Sequence, residues 1–182
     1  MHAKETIKEL FFNEPTKQWH FEQVRKTSGL SRAQTNAWLK KLQKEQLITR
    51  LKPRKKMPYF IANHASAHFR NAKKLFALTK LYESGLLDYL TSLENAKTVI
   101  LFGSFSRGDW YRESDVDLFL YGDIDQLGLG PYLSKLQREI QIFSGKQEED
   151  LRHLGASLLR NILKGMVLKG DIPLEVLKHA AV

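Results

Sequence analysis

Two apolar runs set the terms for this fold. TVILF at 98–102 breaks at Gly103-Ser104, and VDLFLY at 116–121 begins just after Ser114-Asp115. Both runs have strand length and are rich in β-branched, aromatic and leucine side chains, so both read as buried strands. Neither approaches the roughly 20 residues needed to span a membrane. The interval SFSRGDW at 104–110 reads as a short helix between them.

The boundary residues carry chemistry. A glycine ending a buried strand lets the backbone approach a ligand closely. The N–H groups at the start of the following helix form a natural anion site, beginning at Ser104. In a strand, residues two apart share a face, so Asp115 and Asp117 point the same way while Val116, Leu118 and Leu120 point into the core. Two adjacent carboxylates repel unless a cation lies between them. Oxygen ligands of this kind suit Mg²⁺, commonly held by one or two carboxylates plus substrate phosphates. The pattern therefore expects a nucleoside triphosphate with Mg²⁺, in nucleotidyl or phosphoryl transfer.

Charge separates the chain into two parts. Residues 1–65 hold 14 Lys+Arg against 5 Asp+Glu, whereas residues 66–182 hold 15 of each, so the whole net charge of +9 lies in the first third. A basic domain suggests a polyanionic partner, with nucleic acid the first candidate. There is no cysteine, which excludes disulfides and thiolate metal sites. With no apolar signal core at the N-terminus either, the expected location is cytoplasmic, with no membrane association.

The basic third reads as three helices and a hairpin. AKETIKELFF is the first helix, with Ile7, Leu10 and Phe11 on one stripe. HFEQVRKTSG is the second, with Phe21 and Val24 inward and Gly29 as its stop. The third begins at the N-cap Ser31. Thr35, Leu39, Leu42 and Gln46 fall at i, i+4, i+7 and i+11 on its inner face, bordered by Trp38. Its opposite face carries Ala33, Gln34, Ala37, Lys40, Lys41 and Lys44, flanked by Arg32 and Asn36. The strands LITRL and PYFIA then enclose KPRKKM, placing Arg50, Lys52, Arg54, Lys55 and Lys56 on a basic tip.

Residues 3–63, and GLSRAQTNAWLKKLQKEQLITR above all, resemble a winged helix-turn-helix domain of bacterial and archaeal transcription regulators. The resemblance implies double-stranded DNA as a partner. The third helix would enter the major groove, with Gln34 and Asn36 toward base edges and Arg32, Lys40, Lys41 and Lys44 around them. Arg54, Lys55 and Lys56 of the wing would contact phosphates or the minor groove.

Residues 64–94 read as a helical connector, with helices at about 66–82 and 85–93. Phe69, Ala72, Leu75, Phe76, Leu78, Thr79 and Tyr82 form the first helix's apolar stripe. Two readings stand for it: packing between domains, or a symmetric homodimer interface. His64 and His68 have metal-ligand spacing but no visible third ligand, and read as surface residues. The tail, 146–182, reads as one or two helices, a short strand at MVLKGD and a final helix, with His153 and His179 on the surface.

GSFSRGDWYRESDVDLFL at 103–120 resembles the signature of the minimal nucleotidyltransferases of the DNA polymerase β-like superfamily, over about residues 85–145. The resemblance implies a mixed sheet flanked by helices, with Gly103 and Ser104 on the triphosphate and Asp115 and Asp117 on metal. It offers Arg107 either as a phosphate contact or as a plain surface arginine. The family also expects a third carboxylate on a later strand, here REIQIFSG at 138–145. Gln141 stands at that position, with Glu139 two residues earlier on the same face. Either Glu139 substitutes, as metal ligand or base, or the site binds nucleotide without turning it over.

The expected fold class is α+β: a winged helix-turn-helix at 1–63, a helical connector at 64–94 and a nucleotidyltransferase-like domain at 95–182. The leading reading is a Mg²⁺-dependent nucleotidyltransferase directed or regulated by DNA binding. The alternatives are a transcription regulator that senses nucleotide without catalysis, or an antitoxin-type enzyme that modifies a small helical toxin-type partner protein.

Overall fold

The structure, a computed structural model, describes residues 3–124 and 127–180. It divides into two compact units, 1–73 with 110–112, and 74–109 with 113–182. The segment read as a connector is shared between them.

In the first unit, helices α1 (Ala3–Asn13), α2 (Phe21–Ser28) and α3 (Arg32–Lys44) accompany strands β1 (Trp19–His20), β2 (Ile48–Leu51) and β3 (Tyr59–Ala62). The strands form an antiparallel sheet of order β1-β3-β2. The two-residue β1 is too short to carry a periodic signal in the sequence. Gly29 ends α2 at φ 68°, a left-handed conformation that disfavours side chains with a Cβ. Ser31 opens α3 by accepting the N–H of Gln34. The core takes Ile7, Leu10, Phe11, Val24, Leu39, Leu42, Ile48 and Phe60, as the spacing requires.

Three side chains depart from their expected places. Gln46 is exposed, because α3 stops at Lys44 and the chain turns through a left-handed Gln46 at φ 56°. Leu47 takes the buried position instead. Phe21 and Trp38 are only half-buried, and Trp38 lies under the Lys41 ammonium at 5.3 Å.

Helix α4 (Ala67–Glu83) begins in the first unit and continues in the second. Its buried line is Phe69, Lys73, Ala77 and Leu81, at i, i+4, i+8 and i+12. Leu75 and Tyr82 of the expected stripe are 67% and 62% exposed. The misreading turns on Lys73, which looks like a surface residue but is fully buried. Its ammonium donates to the Trp110 carbonyl and lies 4.3 Å from the Trp110 ring. A buried cation is tolerable only when partnered in this way.

The second unit holds the rest of α4, α5 (Leu86–Ser92), β4 (Ala96–Phe102), α6 (Gly103–Arg107), β5 (Val116–Gly122), α7 (Gly130–Leu136), β6 (Ile140–Gly145), α8 (Glu148–Arg152), α9 (Ala156–Leu163), β7 (Met166–Lys169) and α10 (Leu174–Ala180). Its sheet has order β6-β5-β4-β7, with β5 and β6 parallel and the other pairs antiparallel. Ile100, Phe102 and Phe119 pack on one face against Leu151, Leu159, Ile162 and Val176 of the C-terminal helices. Helix α5 lies against β4 and β7. Burial on both faces explains why the central strands are nearly continuous apolar runs. The helix α7 carries no buried residue, so no apolar stripe announces it in the sequence. Among the described residues no helix is long and apolar enough to cross a membrane.

Candidate functional site

The strand register gathers the signature residues. Phe102, the last residue of β4, pairs with Asp117 of β5, and Asp117 pairs in turn with Gln141 of β6. The end of one strand, the aspartate pair and the third-carboxylate position therefore lie side by side across three strands.

Gly103 follows at φ 69°. A Cβ placed there would lie 2.0 Å from Asp117 Oδ2 and 2.8 Å from its Cγ. The missing side chain thus makes room for a carboxylate of the protein itself. Ser104 is half-buried, and its carbonyl accepts the N–H groups of Gly108 and Asp109 at 2.8 and 3.1 Å. These bonds close the one-turn helix that brings the chain round to Arg107. Arg107 is half-exposed and pairs with Asp109 at 3.0 Å.

The Asp117 carboxyl is raised above the ordinary carboxylate range. Burial is the main cause and the Asp115 charge adds to it, while the Arg107 guanidinium opposes both. Such a pair, half-removed from water and mutually repelling, is an environment that a cation would relax. Among the described residues no group of three or more His, Asp or Glu has the geometry to hold a metal ion. Two carboxylates nevertheless fit Mg²⁺, whose remaining ligands are commonly water and substrate phosphate.

Gln141 does reach this site, as a neutral amide. Its Nε2 donates to Asp115 Oδ2 at 2.5 Å. Glu139 precedes β6, is exposed, and its carbonyl accepts the Val116 N–H at 2.9 Å. Sequence reasoning missed Arg138. Its guanidinium donates to the Ser114 carbonyl at 3.0 Å and lies 5.2 Å from the Phe105 ring. It thus braces α6 and the residue before Asp115. A lone arginine before a strand gives no signal of such a role.

In the first unit, Lys40, Lys44, Arg54, Lys55 and Lys56 are exposed. Lys41 lies 4.0 Å from Glu45, and Arg32 pairs with Glu22 at 3.2 Å. Gln34 closes the cap of α3 by accepting the Ser31 N–H at 3.1 Å, which leaves its amide NH₂ for other contacts. Asn36 is exposed on the same helix. Among the expected surface histidines, His68 contacts the Glu45 carbonyl at 3.0 Å and His179 contacts Glu148 at 3.2 Å.

Comparison with known proteins bears on the second unit. A protein of Methanocaldococcus jannaschii, which carries the provisional name protein adenylyltransferase, is 38% identical over 48 residues, covering 24% of this chain and 48% of that protein. This chain thus spans about half the length of that curated relative. No solved structure matches the chain significantly. The family model described as the nucleotidyltransferase domain matches residues 83–163, the stretch that contains Gly103, both aspartates and Gln141. Residues 83–163 are thus similar to nucleotidyltransferase domains, a likeness that covers just under half of the chain.

Proposed function

We propose that this protein is a Mg²⁺-dependent nucleotidyltransferase that transfers a nucleoside monophosphate from a triphosphate to a hydroxyl group. The observation that carries this reading is the aspartate pair set against a glycine whose missing side chain makes room for it. Asp115 and Asp117 would hold the metal, which supplies charge neutralisation on the phosphates. Gly103 and Ser104 receive the triphosphate, and Arg107 stands close enough to act electrostatically on Asp117. The acceptor oxygen attacks the α-phosphorus, the bond to the β-phosphate oxygen breaks, and pyrophosphate leaves. The hydroxyl proton goes to a carboxylate, for which Glu139 is the candidate on the β6 side. The name of the archaeal relative supports a protein hydroxyl as the acceptor.

The first unit supports DNA binding as a companion function. Its helix order, hairpin and exposed Lys40, Lys44, Arg54, Lys55 and Lys56 fit a winged helix whose third helix and wing face a duplex. The protein is then a nucleotidyltransferase located or controlled by DNA. One observation favours a second reading. Gln141 occupies the third-carboxylate position and bonds Asp115, which suits a domain that senses nucleotide without turnover.

Transfer of label from α-³²P-ATP to protein, oligonucleotide and small-molecule acceptors tests the proposal, with Asp117→Asn as control. Metal-dependent transfer by the wild type, lost in the variant, is expected. Binding of ATP without transfer to any acceptor would favour the sensor, and unchanged nucleotide binding in Asp117→Asn would remove the aspartates from the site.

A further inference from the structure

The first unit contains a groove that shares Arg32, Asn36 and Lys40 with the DNA-facing side of α3, but whose apolar lining neither DNA binding nor nucleotidyl transfer explains. It lies between α3 and the β2–β3 hairpin and encloses about 550 Å³, within the range of small-molecule sites. We infer that this groove binds a small amphipathic anion: a flat apolar body bearing one acidic group.

The apolar half of the argument comes from the lining. Leu39 and Phe60 are buried at 1% and 6% exposure, yet both line the groove, as does the half-buried Phe21. Met57 of the hairpin loop, 73% exposed, lines the groove as well. Methionine adapts its shape to a flat partner at little cost. A phosphate backbone alone would leave this wall facing water, whereas an apolar body would cover it.

The charged half comes from ion pairing. Arg32, Lys40 and Arg50 line the groove with Glu22 as the one acid. Glu22 is already held by Arg25 at 2.8 Å and Arg32 at 3.2 Å. Lys40 and Arg50 have no acidic partner among the described residues. Two unpaired cations beside an apolar wall complement an anionic group on an apolar ligand. The walls are also fixed in advance. His20 Nδ1 contacts the Pro58 carbonyl at 3.0 Å, and β1 pairs with β3 through Trp19–Phe60 and His20–Tyr59. This ties the loop end of β3 to the start of α2, so little ordering cost remains for binding.

The inference is independent of the nucleotidyl-transfer reading, and the full chain serves for its test. The probe is 1-anilinonaphthalene-8-sulfonate, an aromatic sulfonate that fluoresces when bound, beside its neutral relative N-phenyl-1-naphthylamine. Saturable binding of one sulfonate per chain is expected, with the neutral probe about tenfold weaker or worse, as charge-assisted contacts require. Lys40→Gln with Arg50→Gln should weaken the sulfonate by a similar factor and leave the neutral probe unchanged. Asn36→Trp, which fills the groove from an exposed position, should abolish binding of both. All three substitutions fall on exposed residues, and unchanged melting curves will verify the fold. Lys97→Gln with Lys164→Gln, both exposed and in the second unit, removes the same charge elsewhere and should change nothing. Equal affinity for both probes, sulfonate binding that survives Asn36→Trp, or an equal loss in the distant lysine pair would overturn the assignment.

Discussion

Gly103→Ala is the sharpest perturbation of the candidate site's geometry. The backbone there has φ 69°, and the new Cβ would lie 2.0 Å from Asp117 Oδ2. A left-handed conformation costs a residue with a Cβ about 1–2 kcal/mol. Turning Asp117 away from its rotamer costs about 0.5–1.5 kcal/mol more. The stiffer unfolded chain returns about 0.4–1 kcal/mol. The net expectation is a loss of about 2 kcal/mol in urea unfolding. Ordinary contact begins at 3.4 Å, so the carboxylate must move by more than about 1 Å, and misplacement on that scale costs about 10²-fold in rate. The assays are urea melts by circular dichroism, calorimetry with ATP and Mg²⁺, and label transfer. The same substitution in an Asp117→Ala background isolates the contact, because only the Asp117 Cβ then remains, at 3.2 Å. There the cost should fall to the backbone contribution, giving a coupling of about 1 kcal/mol. Additive effects, or full Mg²⁺–ATP binding by Gly103→Ala, would refute the placement of Asp117 against Gly103.

Other outcomes follow from particular contacts. Replacing Arg54, Lys55 and Lys56 with Ala should weaken duplex binding for all sequences and flatten its salt dependence by about 0.9 per lost phosphate contact; a full chain that ignores duplex DNA at low salt makes the first unit a protein-binding module. Gln141→Asp should raise label transfer if the neutral amide limits the natural site, whereas Glu139→Gln should lower it about 10²–10⁴-fold if Glu139 is the general base. Transfer that survives Glu139→Gln would move the base off β6. The Asp150 carboxylate accepts the backbone N–H groups of Lys146 and Gln147, which hold it below the ordinary carboxylate range. A depressed folded-state pKa contributes stability above the unfolded value of about 3.9, lost as pH falls through the folded value. Thermal melts of wild type and Asp150→Asn should therefore differ at neutral pH and converge in acid; a constant difference would show that the charge is irrelevant.

Local pattern determined much of this protein. The helix stops and starts at Gly29 and Ser31, the strands around Gly103, and the shared face of Asp115 and Asp117 all follow from periodicity and backbone sterics, which act between near neighbours. The concentration of positive charge in the first third is read from composition alone. The nucleotidyltransferase signature was equally legible, since glycine, serine and two aspartates at that spacing serve one local geometry. What lay beyond the sequence depends on partners distant along the chain. Lys73 reads as a surface residue until the Trp110 carbonyl and ring receive its charge, and that contact moves the buried line of α4 away from Leu75 and Tyr82. The position of Gln141 suggested a missing carboxylate, but only the parallel pairing of β5 with β6 showed its amide holding Asp115. Gly103 looked like space for a ligand, and tertiary structure put the Asp117 carboxylate beside that space. The groove beside α3 needed the hairpin folded back along the helix, because apolar walls and unpaired cations become a site only when chain segments far apart in sequence enclose a volume.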